Sequence, residues 1–163
     1  MCGVLAGRNA RLDEVKDQLC RKFGPVDYQA GPLPFEFTNY YDEEMGNPIT
    51  RHFFSFRDLV SPDGLAAIKV FTNEVEENHA INGKRQVNLD PGCISLKRLM
   101  LASTKDNGRR IPLSDGIYAE ITLVFVGGTF EPLHWTYPDY RSSGYLEIMK
   151  DIREIYKAQL KQL

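Results

Sequence analysis

Two alternating stretches of this chain carry side chains that handle protons and anions. In the first, Arg85 to Asp90, Val87 and Leu89 share one face while Asn88 and Asp90 share the other. In the second, Glu120 lies between Tyr118 and Thr122 and faces Arg110 across a turn. Two carboxylates on a polar sheet face suit a general base or a Mg2+ site, because magnesium needs only one or two protein carboxylates beside substrate oxygens. Asp90, Glu120 and Lys105 are therefore the catalytic candidates, with Asp90 and Glu120 as the metal ligands. Arg110 and Lys105 would neutralise an anion, and Asn88 and Tyr118 would orient it. Lys69 and Asn73 lie close to the apolar stripe of a helix, where they would meet the edge of that face. Tyr41 and Tyr137 belong to an aromatic group, with Tyr40, Trp135 and Tyr140, that could stack a ring-shaped ligand. Asp139 joins the set if residues 135–140 fold over it. Each residue also has a structural reading: Glu120 pairs Arg110, Asp90 caps a Pro91-Gly92 turn, Lys69 lays its stem on apolar surface, and the aromatics are core.

The elements that must position these groups follow from pattern. Around Ser114-Asp115-Gly116, a three-residue loop sets Ile111 opposite Ala119, Leu113 opposite Ile117 and Arg110 opposite Glu120, keeping apolar residues together. Gly3 to Gly7 suits a buried first strand. Asn9 is expected to cap a helix that carries Leu12, Val15 and Leu19 and ends at Gly24-Pro25. Residues 26–57, rich in prolines and rings, read as a long ordered loop with one or two short strands. Ser61-Pro62-Asp63 opens a helix that Asn82-Gly83 ends. Arg85 to Asp90 is a strand, Pro91-Gly92 a turn, and Ser95 the cap of a short helix over 96–102. Gly127-Gly128 turns into a short strand at 129–131, and a last helix begins near Ser142. The order predicts an α/β (α+β) layered sandwich with a mixed β-sheet and about four helices, on a ferredoxin-like core with additions. The expected organisation is a single globular domain over residues 1–163.

Bulk properties narrow the function. The chain is 42% hydrophobic and 26% charged with a formal charge of −2, so nothing general draws it to nucleic acid or an anionic membrane. The sequence shows no apolar run of bilayer length and no signal-peptide core, and Cys2, Cys20 and Cys93 have no metal spacing, which together read as cytoplasmic with reduced thiols. His52, His79 and His134 are scattered, giving no zinc pattern.

Six segments in order carry a resemblance: residues 37–46 (FTNYYDEEMG), 69–74 (KVFTNE), 85–92 (RQVNLDPG), 101–106 (LASTKD), 115–120 (DGIYAE) and 135–140 (WTYPDY). With them the chain resembles the prokaryotic domain-of-unknown-function family 4416 over nearly its whole length. The resemblance implies no established activity, although members sometimes carry a GTP-binding label. The residues do not form a phosphate-binding loop, since Gly83-Lys84 is followed by Arg85 and ends a helix where such a loop begins one. In Thr104-Lys105-Asp106 the Asp adjoins the Lys, unlike the guanine-reading sequence of GTPases. Cys2-Gly3-Val4 resembles the start of an N-terminal-nucleophile amidotransferase only if Met1 is removed, and the partner motifs are missing.

The reading is a cytoplasmic protein that binds a small anionic or nucleotide-like ligand over the polar sheet face, with Mg-assisted phosphoryl or hydrolytic chemistry in reach. The alternative is a non-enzymatic binding or assembly module whose polar residues form a structural network. An RNA-associated role is the third reading, and dispersed basic doublets interleaved with acids argue against it. Oligomeric state is not legible.

Overall fold

A computed structural model describes residues 1–162 and shows two compact units, Met1–Pro91 and the chain from Gly92 on. The first unit contains strands β1 (Cys2–Ala6), β2 (Val26–Pro34) and β3 (Thr50–Phe56), helices α1 (Leu12–Phe23), α2 (Asp42–Met45) and α3 (Leu65–Asn78), and most of strand β4 (Val87–Ile94). Its strands lie in the order β2-β3-β1-β4, each pair antiparallel. With α1 between β1 and β2 and α3 between β3 and β4, this is the split βαβ arrangement of a ferredoxin-like core. The expected core is therefore present, and the four-residue α2 is an insertion in the β2–β3 connection.

Strand periodicity explains how the unit buries its two faces. Cys2, Val4, Phe54, Val87 and Leu89 pack with Val15 and Leu19 of α1 and Val75 of α3. The opposite side carries Leu5, Arg51, Phe53, Asn88 and Asp90, with Arg51 and Asn88 both in register with Leu5. There Leu5 packs against Phe35, Met45 and Ile49 from the β2–β3 connection. Gly7 is required at that contact, because a Cβ would strike the Met45 carbonyl. The α1 N-cap is Arg11 and not Asn9, and it makes no side-chain cap; Gly24 ends the helix at φ +85.

In the second unit, the end of β4 pairs with β5 (Arg98–Ser103), β5 pairs with β7 (Tyr118–Val126), and β7 also pairs with β6 (Ile111–Pro112) and β8 (Thr129–Pro132). Helix α4 (Ser143–Leu160) follows, capped by the Ser142 hydroxyl. The hairpin has the expected register, with Ile111 opposite Ala119 and Leu113 N–H donating to the Ile117 carbonyl. Gly116 is left-handed (φ 70), as the three-residue loop requires, and Asp115 (φ 57) is left-handed as well, so the turn is mirror-image in type.

Three expectations are corrected. All named strand pairings are antiparallel, so the sheet structure is not mixed. Residues 98–103 form a strand, not a helix, and Pro91-Gly92 lie within β4 instead of turning the chain. Ser95 does accept from the Lys97 and Arg98 amides, as a helix cap would, but it closes a hairpin at 95–98. A four-residue apolar run such as 99–102 satisfies either period, which is why pattern alone misplaces it.

Candidate functional site

The sequence-predicted residues separate into two charged groups, one in each unit. In the first, Arg51 of β3 donates from Nη1 to Asp90 Oδ2 at 2.9 Å, and Asn88 donates from Nδ2 to Asp90 Oδ1 at 2.9 Å. The Arg51 guanidinium stands 5.3 and 5.7 Å from the ring centroids of Phe35 and Phe53, which excludes water from its flanks. Burial raises the Asp90 pKa, but Arg51, Lys69 and the two hydrogen bonds outweigh it and hold the carboxyl below its ordinary value. The side chain remains 28% exposed. Asp90 is thus an ionised, reachable acceptor rather than a turn cap. Beside it the Tyr41 phenol is pushed up by burial and by the Asp90 charge, so it stays protonated and can donate.

Lys69 performs a different task from the one its spacing suggests, and shares it with Glu76 of the same helix. Leu89 is paired laterally with Val4 at a position where its own N–H and C=O point away from β1. Glu76 Oε1 accepts that N–H at 2.6 Å, and Lys69 Nζ donates to that carbonyl at 2.6 Å. The two side chains, 3.7 Å apart and both buried, replace a strand partner at this edge. Burial raises the Glu76 pKa, opposed by Lys69 and the Leu89 amide. Asn73 is half-buried on the same helix, and none of these bonds involves it.

Arg85 extends the group in a way sequence spacing did not reveal. Its Nη1 donates to Asn88 Oδ1 at 3.0 Å and to Glu76 Oε2 at 3.3 Å, while Nε and Nη2 grip Glu44 of α2 at 2.7 and 2.8 Å. The Arg85 hydrogen bond is the main cause holding the Glu44 carboxyl below its usual value. Arg51 and Arg85 were the residues missed. A lone arginine inside the ring-rich run 50–56 was the available signal for the first, since a buried guanidinium must find an anion.

In the second unit, Glu120 is 4% exposed, and the polar face of β7 is covered there and at Thr122. Arg109 Nε and Arg110 Nε both donate to Glu120 Oε2, at 3.1 and 3.0 Å. Arg110 Nη1 also donates to Ser103 Oγ (2.8 Å) and the Lys105 carbonyl (2.7 Å), tying together the loop 103–110. Lys105 and Arg109 are exposed on that loop, and Tyr118 is half-buried opposite Ser103. Tyr137 is exposed, whereas Asp139 is buried and accepts the Tyr140 amide through Oδ1 at the start of a 3-10 turn. The β5–β7 register slips beside Thr122, and the Thr136 hydroxyl satisfies the Thr122 carbonyl.

Among the described residues no three His, Cys, Asp or Glu side chains gather as a metal-binding group. Cys2 is buried and its thiol is pushed up to about 12 by burial and the Asp90 charge, the reverse of what a nucleophile needs. No described helix is long and apolar enough to cross a membrane.

These features define an α+β protein with a ferredoxin-like core, a guanidinium–carboxylate network on β3 and β4, and a basic loop after β5. The family model for a domain of unknown function, DUF4416, matches residues 1–156, and the chain belongs to that family. No curated protein and no solved structure matches it.

Proposed function

We propose that the protein binds a small anionic, nucleotide-like ligand and that the loop 103–110 takes its anionic end. The observation that carries this reading is the sharing of one carboxylate oxygen by two guanidiniums. Glu120 supplies one negative charge to Arg109 and Arg110, so one positive charge is left over in this cluster. Surplus charge on a 39% exposed Arg109 side chain is poised for a phosphate or carboxylate, which would relieve the repulsion between the two arginines. Arg110, only 5% exposed and fixed by three acceptors, Glu120 Oε2, Ser103 Oγ and the Lys105 carbonyl, orients the loop.

With its Oε2 held by two arginines, Glu120 is an anchor in this reading rather than a base. Asp90 is the better acceptor for a ligand N–H or hydroxyl in the first unit. A thermal-shift panel of inorganic phosphate and nucleoside mono-, di- and triphosphates, with and without Mg2+, tests the reading. Ligand at a hundredfold excess over Kd adds about 2.7 kcal/mol, a rise of roughly 5–10 °C in Tm. A flat panel at millimolar concentrations contradicts it.

The structural-network reading is favoured at one place, the Lys69–Glu76 pair, because its donors and acceptors are spent on the Leu89 backbone.

A further inference from the structure

Three N–H donors of one residue converge on Glu44. Arg85 Nε and its backbone N–H point at Oε1, at 2.7 and 3.3 Å, and Nη2 points at Oε2 at 2.8 Å. This fork matches any planar or tetrahedral oxyanion, and the added main-chain donor is a feature of anion nests. Lys84, the preceding residue, brings a second cation to the same place and donates to the Glu43 carbonyl at 3.2 Å.

The fork does not depend on Glu44 for its shape. Arg85 Nη1 is fixed from behind by Asn88 of β4 and the buried Glu76 of α3. Glu44 comes from a separate element, the four-residue α2 in the β2–β3 connection. That element is secured by its own last residue, Met45, which is 2% exposed and abuts Gly7, so the Glu44 side chain can swing away while α2 stays in place. Both partners are about one-third exposed (30% and 31%), so solvent and small solutes reach the pair.

We propose that Arg85 heads a second oxyanion site, occupied in the free protein by the chain's own Glu44, which a ligand carboxylate or phosphate group displaces. The charge count supports this. Arg51, Lys69 and Arg85 are balanced by Asp90, Glu76 and Glu44, and moving Glu44 away leaves one uncompensated positive charge at the fork. Partly exposed ion pairs are worth little in water, so a free anion can compete.

The test uses inorganic phosphate titrated into the full chain and read by NMR at the Arg85 backbone amide and Nε resonances. Every protein carries Arg109→Ala, which weakens binding at the loop 103–110, and the Arg85 resonances report the fork alone, so failure here and failure of that loop are distinguishable. Glu44→Gln is expected to tighten phosphate binding about fivefold, equivalent to the roughly 1 kcal/mol of an exposed pair, with both Arg85 resonances moving. Glu43→Gln removes the same charge from an exposed neighbour outside the fork and is expected to leave affinity unchanged. Arg85→Lys keeps the charge, loses the fork, and is expected to abolish binding at this site. Equal affinities for the Glu44 and Glu43 variants overturn the proposal, as does a phosphate titration that leaves the Arg85 resonances unmoved. An unfolded Glu44→Gln protein also overturns it, because Glu44 would then be a structural tie.

Discussion

Arg51 reaches past the central strand β1 to hold Asp90 at 2.9 Å, joining β3 to β4 through side chains as well as through the ladder. Removing one partner of such a pair leaves the other charge with little solvent to replace it. Arg51→Met is therefore expected to destabilise the protein by about 2–3 kcal/mol in urea unfolding, below the roughly 3–5 kcal/mol of a fully buried pair because Asp90 is partly wet. The double variant Arg51→Met/Asp90→Asn should recover part of that loss. Equal stability of wild type and the single variant would show the pair to be idle.

Glu76 acts as a substitute strand at Leu89. Glu76→Ala strands a buried amide and leaves Lys69 without its carboxylate, an expected cost of about 2–3 kcal/mol. Glu76→Gln keeps an acceptor and should cost less. Amide exchange at Leu89 reads the effect locally: it should rise in the Ala variant more than at Val4, whose backbone neither Glu76 nor Lys69 bonds.

The histidines set the response to mild acid. Burial lowers the pKa of His52 and of His79, with nearby Arg51 and Arg11 respectively adding to the shift. The unfolded chain takes up protons near pH 6.5 that the folded chain refuses, so stability falls as pH drops below that value toward the folded pKa values. The expected loss between pH 7.5 and 5.5 is up to about 1 kcal/mol per histidine. His79→Gln should flatten that part of the curve. Asp90 works in a lower window, because its folded pKa is depressed. Its stabilising contribution is present above the ordinary carboxylate value near 3.8 and disappears as pH falls through the folded one. A melting curve unchanged from pH 7.5 to 5.5 would contradict the histidine assignment.

Cys2 provides a reactivity check. With its thiol at about 12 and its side chain buried, it should resist iodoacetamide at pH 8 in the folded protein and react only on unfolding. Rapid native labelling of Cys2, measured by peptide mass spectrometry, would disprove the placement of β1.

Much of the scaffold was legible because its signals are local. The Arg110–Glu120 pairing followed from hairpin register, and α4 from a serine cap before a long apolar stripe. The ferredoxin-like order followed from element succession. What pattern could not supply was partner choice over long separations. Glu44 and Arg85 are 41 residues apart and meet only because the β2–β3 connection folds onto Leu5. Asp90 looked like a turn cap because Pro91-Gly92 follows it, yet proline and glycine are accommodated here inside a strand. The β7 polar face appeared open because alternation says nothing about what covers it, and two arginines lie over Glu120.

The central claim is that Arg109 supplies the surplus charge that receives an anion. Isothermal titration of a nucleoside triphosphate and of inorganic phosphate into wild type and Arg109→Ala measures it directly. Because Arg109 is exposed, the variant should keep its unfolding free energy to within about 0.5 kcal/mol of wild type. The account predicts saturable binding to wild type that weakens about tenfold or more in the variant, the value of one charge-assisted contact. Identical isotherms for the two proteins, or no heat with either ligand at millimolar concentration, would contradict it.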